Sequence, residues 1–168
     1  MAFKKNLFIP NKLEYVRGGK RPNVHCILCG ITQNHPEVEN LIIWKNDLLM
    51  VSLNLYPYNP GHLLLFPLRH IVDLREMTEE EAMQIFKVNK KFMDIIDRIY
   101  SPRGYNIGFN INDASGASID HLHQHLVPRY HKELGFVDII SGSKIMVEDP
   151  KETLKKFETA LKKHPIEV

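Results

Sequence analysis

The chain has 168 residues, of which 43% are hydrophobic and 25% are charged, as is typical of a globular domain with a hydrophobic core. Its 22 basic and 20 acidic residues leave a net charge of +2, which does not favour a general nucleic-acid binder. The N-terminus has no long apolar segment, and no stretch approaches the roughly 18 apolar residues of a membrane span, so we expect a cytoplasmic protein without signal peptide or membrane anchor.

The first 25 residues are broken by prolines and glycines and are predicted to form an irregular arm. Basic residues predominate in this arm, with Glu14 as the only acidic residue among the first 21. The basic residues are Lys4, Lys5, Lys12, Arg17, Lys20 and Arg21. The arm is interpreted either as a solvated terminus or as a source of positive field that attracts a polyphosphate.

Short apolar runs bounded by turn residues predict three strands, at residues 41–44, 48–53 and 62–67. Lys45-Asn46-Asp47 separates the first two, and a connection rich in proline, asparagine and glycine, residues 56–61, separates the last two. Such residues fix or permit turn dihedral angles, so we expect hairpins. Later runs at residues 105–111 and 121–127 predict two more strands.

A long helix is predicted to begin at the capping box Thr78-Glu79-Glu80-Glu81, whose hydroxyl and terminal carboxylate accept hydrogen bonds from backbone N–H groups. Pro102 is expected to end it. Residues at helical spacing predict its buried stripe. They are Ala82, Ile85, Phe86, Phe92, Met93, Ile96, Ile99 and Tyr100.

A second helix is predicted to begin at Asp149-Pro150, where aspartate suits the N-cap and proline the first turn, and to bury Leu154, Phe157 and Leu161. Consecutive strands, one long central helix and a C-terminal helix indicate an α+β fold with an antiparallel sheet. We expect a single domain over residues 1–168, in which residues 130–168 form a C-terminal extension that carries the last helix.

Three histidines alternate with other residues in the segment His121-Leu122-His123-Gln124-His125. Alternate side chains of a strand point to the same side, so we expect three imidazoles on one face, about 6.5–7 Å apart. Such a row supplies a neutral nucleophilic nitrogen, donors for phosphate oxygens and a metal ligand. Packing or incidental metal binding is the alternative, but three strictly alternating histidines are not typical of packing.

The segment before the histidines, residues 110–120, is rich in small and polar residues. Small residues let a ligand approach the backbone, and hydroxyl and amide groups donate to phosphate oxygens. Taken alone, the segment is equally consistent with an ordinary loop.

Residues 121–129, His-Leu-His-Gln-His-Leu-Val-Pro-Arg, resemble the signature of the histidine triad family, His-φ-His-φ-His-φ-φ with φ usually apolar. Gln124 departs from that signature. The segments 54–65 and 67–70 resemble the same family. The Cys-Ile-Leu-Cys segment at residues 26–29 and the stretch at residues 142–148 resemble the branch that includes diadenosine tetraphosphate phosphorylases. The resemblance covers about residues 10–160.

The resemblance implies a nucleotidyl hydrolase or transferase that cleaves dinucleoside polyphosphates by double displacement. His123 would attack the α-phosphorus and form a covalent nucleotidyl-imidazole, which water, phosphate or another acceptor releases. His125 would stabilise charge on the leaving group. A neutral imidazole suits this role because its ordinary pKa is about 6.5. The related uridylyltransferase branch has glutamine in place of His125, which favours a hydrolase or phosphorylase here.

The family pattern also implies a set of substrate contacts. Asn54 and His62 match positions at the ribose, and Leu64 matches one that lines the base pocket, although ordinary core packing explains Leu64 equally well. Asn110 and Ser118 are candidates for holding phosphate oxygens.

Cys26 and Cys29 have a C-x-x-C spacing that indicates metal or redox chemistry. In zinc-bearing branches of the family the other two ligands match His70 and His121, which implies a closed, structural zinc site. The histidines that flank the cysteine pair are rival ligands, and a reduced thiol pair is the alternative. A thioredoxin-type redox pair is not favoured, because residues 30–36 do not resemble a helix start.

Other functions compete with this interpretation. They are hydrolysis of nucleoside phosphoramidates, removal of adenylate from nucleic-acid ends, and non-catalytic nucleotide binding by a regulatory protein. The second would need a larger basic surface, and intact His123 and His125 argue against the third. Resembling family members form homodimers whose sheets join across a two-fold axis, so a homodimer is expected from the resemblance.

Overall fold

The computed structural model describes residues 22–131, 133 and 148–167. The predicted basic arm up to residue 21 and the stretch 142–147 lie outside the described residues. The elements in chain order are α1 (Ile27–Thr32), β1 (Ile42–Lys45), β2 (Leu49–Leu53), β3 (Leu63–Pro67), α2 (Glu79–Tyr100), β4 (Gly104–Phe109), β5 (Gln124–Arg129) and α3 (Pro150–Lys163). Single 3-10 turns lie at Leu74–Glu76 and Asp113–Ser115.

The five strands form one antiparallel sheet in the order β1-β2-β3-β5-β4, so the predicted α+β fold is confirmed. β3 lies beside β5 and pairs Leu64 with His125. β4 forms an edge and pairs Gly108 with His125 from the other side. The strand that carries the histidines therefore has a neighbour on each side.

The prediction that this strand begins at His121 was wrong, because β5 begins at Gln124. The backbone N–H of Leu122 donates instead to the carbonyl of Ile71, at 2.6 Å. That bond holds the segment before β5 against the loop after β3. Two of the three histidines thus precede the regular strand.

The two faces of the sheet pack against different partners. Alternate residues of β2 and β3, such as Val51 and Leu65, belong to a core formed with α2 and α3, in which Phe92 and Phe157 are fully buried. The residues between them belong to a second cluster that contains α1 and the cysteines. Its sheet members are Met50, Leu64 and Phe66. Because directly paired residues share a face, His125 lies on the same face as Leu64.

Helix α2 begins as predicted, with Thr78 as N-cap and a complete capping box closed by Glu81. Its buried stripe differs in part from the prediction. Ala82 is exposed and Phe86 is 63% exposed, whereas Val88 and Ile95 are buried. The residues that the structure buries, such as Ile85, Val88 and Phe92, share one side of α2, and Phe86 lies outside that stripe.

Helix α3 has the predicted N-cap, Asp149, with proline in its first turn. Phe157 is fully buried, and Leu154 and Leu161 are partly buried against the same core, which confirms the predicted stripe. None of the helices in the described ranges has the length and apolar character needed to cross a membrane.

Helix α1 was not predicted. It begins directly after Cys26, whose sulfur accepts a hydrogen bond from the Cys29 backbone N–H at 3.4 Å. Residues 30–36 do not start a helix, as expected, because α1 ends at Thr32, but the helix begins at Ile27 inside the C-x-x-C segment, where no helix was predicted. The helix has only six residues. Leu28 and Ile31, both buried, fix it to the sheet.

Candidate functional site

Four side chains that are distant in sequence converge beside α1. The sulfur of Cys29 lies 3.2 Å from Nδ1 of His70 and 3.5 Å from Nδ1 of His121, and the sulfur of Cys26 also lies 3.5 Å from Nδ1 of His121. All four candidate ligand atoms lie within 4.8 Å of one another. Tetrahedral zinc, with bonds of about 2.3 Å to sulfur and 2.0–2.1 Å to nitrogen, would set sulfur and nitrogen about 3.6 Å apart. The cluster fits such an ion, and the flanking histidines are not members of it.

Hydrogen bonds prepare His121 for this position. Its Nε2 lies 3.0 Å from the carbonyl oxygen of Pro67, which can only accept, so Nε2 carries the proton and Nδ1 presents a lone pair to the cluster. Burial lowers the pKa of His121 to about 4. Burial and the neighbouring Cys26 raise the pKa of Cys29 to about 11. Without a bound cation Cys29 is a thiol, and a metal ion would displace its proton.

The residue before His70 ties the metal loop to the long helix. Arg69 donates to both carboxylate oxygens of Glu81, at 2.6 and 2.7 Å, and Glu81 is only 3% exposed. Glu81 also accepts from the backbone N–H of Thr78 in the capping box. The start of α2 and the position of His70 therefore depend on the same carboxylate. No sequence motif pointed to this pair.

His123 lies beside the metal cluster with one nitrogen occupied. Its Nδ1 is 2.7 Å from the carbonyl oxygen of His121, so Nδ1 carries the proton and Nε2 keeps a lone pair. Nε2 makes no hydrogen bond within the part of the chain that the structure describes. Burial lowers the pKa of His123 below its usual value, which keeps the ring neutral at pH 7. The neutral ring thus presents a lone pair on Nε2 and has a backbone acceptor behind Nδ1.

His125 belongs to a hydrogen-bonded series that begins at a backbone amide. The N–H of Tyr58 donates to Nδ1 of His62, at 3.0 Å, so the proton of neutral His62 is on Nε2. That Nε2–H faces Nδ1 of His125 at 2.9 Å, and His125 must therefore carry its own proton on Nε2. Burial lowers the pKa of His125 to about 4, and burial also lowers the pKa of His62. The result is a neutral ring with a fixed donor, enclosed and without a partner among the described residues.

The rings of His123 and His125 are close enough to act on one group, with 4.9 Å between their centroids. On either side of His125 in the sheet are Leu64 and Gly108. A methyl group built on Gly108 would meet nothing within 4 Å, so the sheet is open there. Leu64 is only 5% exposed and packs in the cluster around α1.

The residues expected at the ribose lie in the connection between β2 and β3. Asn54 is half-buried, and its Oδ1 accepts from the Tyr56 backbone N–H at 2.9 Å. His62 is fully buried with both nitrogens bonded to the protein. His62 thus contacts His125, and the contact of Asn54 and His62 with a ribose stays a prediction.

The residues expected at phosphate oxygens lie between β4 and β5. Asn110 is half-buried and follows β4. Asn110 directly follows Phe109, which pairs with Gln124, the residue after His123. Ser118 is exposed on the approach to the histidines. Neither side chain makes a hydrogen bond within the described ranges, and their contacts with phosphate stay predictions.

Gln124, the departure from the family signature, points away from the histidines. Its Oε1 accepts a hydrogen bond from the amide of Asn89 on α2, and both residues are buried. The polar residue therefore links the histidine strand to the long helix. Sequence reasoning had assigned it no role.

Comparisons with known proteins agree with this geometry. The profile of the HIT domain matches residues 35–132, more than half of the chain. A Mycobacterium tuberculosis protein named AP-4-A phosphorylase is 34% identical over 128 residues, which are 76% of this chain and 66% of that protein. The chain thus spans slightly less than two thirds of that relative. Bis(5'-nucleosyl)-tetraphosphatase [asymmetrical] of Schizosaccharomyces pombe is 27% identical over 103 residues, 61% of this chain and 57% of that protein.

A solved structure with a similar fold also supports the architecture. A Zn-bound histidine triad family protein from Mycobacterium smegmatis superposes with a TM-score of 0.68 at 23% identity, over 83% of this chain and 94% of that one. At this identity the likeness establishes the fold alone. Together with the profile match, it leads to one conclusion: the chain belongs to the HIT, or histidine triad, family.

Proposed function

We propose that the protein cleaves dinucleoside polyphosphates through a covalent nucleotidyl intermediate on His123, with water or phosphate as the acceptor. The observation that carries this proposal is the protonation pattern set by the backbone. The His121 carbonyl holds the proton of His123 on Nδ1, while the Tyr58 amide, acting through His62, holds the proton of His125 on Nε2. A lone pair and a donor are thereby presented side by side.

In the first step, Nε2 of His123 forms a bond to the α-phosphorus, and the bond from phosphorus to the leaving phosphate oxygen breaks. The electron pair leaves with that oxygen. The imidazole ring becomes positive as the new bond forms, and the His121 carbonyl at 2.7 Å stabilises this charge through the Nδ1 proton. Nε2–H of His125 donates to the departing oxygen. In the second step, the acceptor attacks the same phosphorus and the bond from phosphorus to His123 breaks, with its electron pair returning to Nε2. When the acceptor is water, the attacking oxygen loses its proton to solvent.

The protonation of His125 favours an anhydride over the alternative phosphoramidate substrate. A terminal phosphate has a second pKa of about 6, so it departs from a polyphosphate without needing a proton. The amine of a phosphoramidate does need one. Neutral His125 could give that proton only by becoming an anion, since its Nδ1 already accepts from His62.

The relatives support the same substrate class, because one is named AP-4-A phosphorylase and another asymmetrical bis(5'-nucleosyl)-tetraphosphatase. Those two names differ in the acceptor, and product analysis separates them. Diadenosine polyphosphates are incubated with and without inorganic phosphate. Nucleoside diphosphate formed only with phosphate means phosphorolysis, and monophosphate formed without it means hydrolysis. Tight binding without turnover of any substrate would instead support a regulatory nucleotide-binding protein.

The nucleophile is tested with His123→Ala and the matched variant His131→Ala, which removes an exposed histidine. The first should lose turnover and the acid-labile adduct formed from radiolabelled substrate, with the fold and metal content unchanged. The second should behave as wild type. An adduct that persists in His123→Ala would disprove the assignment.

We also propose that the Cys26, Cys29, His70 and His121 cluster binds one structural zinc ion. A four-ligand site has no open position for substrate. When bound, zinc would clamp the segment that carries His121, whose carbonyl holds His123. Metal analysis of freshly purified protein should give about one zinc per chain. Cys26→Ser should lose the metal and His35→Ala should keep it, whereas metal-free wild-type protein would refute the site.

A homodimer is the third part of the proposal. The outer edge of β4 has no strand partner among the described residues, and an unpaired strand edge is a site for association. Ile107 on β4 is 46% exposed, and Met83 and Phe86 on α2 are 56% and 63% exposed. Sedimentation should show a dimer that Ile107→Lys weakens. Monomeric wild-type protein at micromolar concentration would contradict it.

A further inference from the structure

Tyr58 is a large aromatic side chain that the proposed reaction leaves unused. It lies in the connection between β2 and β3, and 44% of its surface is exposed. Its ring stacks on His62, with 4.8 Å between centroids and 29° between planes, and on His125, at 5.9 Å and 25°. The imidazoles thus hold the ring in place while much of it stays open to solvent.

This ring lies within reach of the reacting phosphate. The centroids of His123 and His125 are 4.9 Å apart, and those of His125 and Tyr58 are 5.9 Å apart. The sum of these two distances is the greatest possible separation of the Tyr58 and His123 rings, so their centres are less than about 11 Å apart. A short polyphosphate chain and a ribose can span that separation.

We propose that the exposed face of Tyr58 binds the nucleobase of the leaving nucleotide by stacking. The inference rests on the proposed function, because it concerns the part of the substrate beyond the phosphate attacked by His123. A flat, rigid, partly apolar ring is suited to stacking on a nucleobase, and such contacts tolerate any base. His125 contacts the leaving phosphate, so an aromatic ring next to His125 lies near the nucleoside that this phosphate carries.

A competing role for Tyr58 is purely positional. Its ring covers His62 and His125, and its backbone N–H fixes the proton of His62. The backbone bond survives any substitution at this position, but loss of the ring would admit water to both imidazoles. Such a change would slow every substrate alike, whereas loss of a base subsite would affect only substrates that carry a second base.

The test compares two substrates with polyphosphate chains of equal length. One is a dinucleoside polyphosphate, and the other is the nucleoside polyphosphate that lacks the second nucleoside. The variants are Tyr58→Phe, which keeps the aromatic face, and Tyr58→Leu, which keeps apolar volume. Leu55→Ala serves as a control, because Leu55 is an equally exposed residue of the same connection, at 43%.

We expect Tyr58→Leu to lower kcat/KM about tenfold for the dinucleoside, mainly through KM, and to leave the nucleoside polyphosphate within about twofold of wild type. Tyr58→Phe and Leu55→Ala should resemble wild type with both compounds. Equal losses on both substrates, or an unchanged dinucleoside KM in Tyr58→Leu, would overturn the inference.

If the wild-type protein turned over neither compound, the proposed function would fail and the subsite would be tested by equilibrium binding. Wild type should then bind the dinucleoside more tightly than the nucleoside polyphosphate, and Tyr58→Leu should lose that difference. Equal Kd values in wild type would refute the subsite.

Discussion

His62→Leu removes both ring nitrogens from the series that leads to His125 while keeping apolar volume in a fully buried position. Two short hydrogen bonds disappear, from the Tyr58 backbone N–H at 3.0 Å and to Nδ1 of His125 at 2.9 Å, together with a longer one from Nδ2 of Asn54 at 3.4 Å. His125 is then free to carry its proton on either nitrogen. Only the form protonated on Nε2 donates to the leaving oxygen.

The structure sets the size of both effects. A buried polar group left without a partner costs on the order of 1–3 kcal/mol, and since both groups here are only partly buried we expect about 2 kcal/mol in total. A protein of 150–250 residues loses about 2–4 °C of Tm for each kcal/mol, so Tm should fall by roughly 4–8 °C. Complete loss of a positioned donor lowers kcat by about 100-fold or more. His125 still carries its proton on Nε2 in part of the population but loses its fixed orientation, so we expect a smaller fall in kcat, about tenfold.

Thermal unfolding and steady-state kinetics on a dinucleoside polyphosphate measure these two effects. KM should change little, because His62 is fully buried. His62→Gln, which retains an amide donor, should recover part of kcat. His131→Leu should leave kcat and Tm as in wild type.

The supporting role of His62 is refuted if His62→Leu keeps kcat within about twofold of wild type. A rise in KM at constant kcat would also refute the supporting role of His62, because a residue that contacts the ribose is expected to give that result.

Three further outcomes are expected. Burial lowers the pKa of His123 below its ordinary value, so kcat should be constant from pH 8 to about 6.5 and fall only at lower pH. A decline in kcat centred at pH 6.5 or higher would contradict this expectation. Gly61→Ala should cost about 1–2 kcal/mol in urea unfolding, because Gly61 has φ of 80° and the new methyl would lie 3.1 Å from a ring carbon of Tyr100. Gly104→Ala should be nearly neutral, because its new methyl would meet nothing within 4 Å. Arg69→Met should lower zinc affinity about 10–100-fold in chelator competition, because Arg69 anchors the loop that carries the metal ligand His70. Arg75→Met, which breaks an exposed ion pair, should keep the wild-type zinc affinity. Equal zinc affinities of the two variants would refute the anchoring role of Arg69.

Stability should also depend on pH through the buried imidazoles. An unfolded histidine takes up a proton as pH falls below about 6.5. Folded His125 resists protonation until about pH 4, because burial lowers its pKa. Its contribution to stability is therefore complete above pH 6.5 and is lost as pH falls from 6.5 towards 4. Urea unfolding at pH 7.5 and pH 5 measures the loss, and equal midpoints would contradict it.

Sequence alone determined the features that depend on local hydrogen bonding. Thr78 and Asp149 cap their helices as predicted, because an N-cap needs only a side-chain oxygen and the next few backbone N–H groups. The strands and the fold class followed from apolar runs and turn residues. The alternating histidines also predicted a shared face, and His123 and His125 have neighbouring rings.

Tertiary structure alone decided the features that depend on contacts between distant segments. His62 supports His125 because β3 lies beside β5, and nothing in the local sequence of His62 specifies that neighbour. Phe86 is exposed because the core covers a narrower stripe of α2 than helical spacing alone predicted. The proton of His121 is set by the carbonyl oxygen of Pro67, which is distant in sequence, whereas that of His123 is set by the carbonyl of His121, two residues earlier. Residue types thus predicted which chemistry is available, and long-range packing decided which nitrogen performs it.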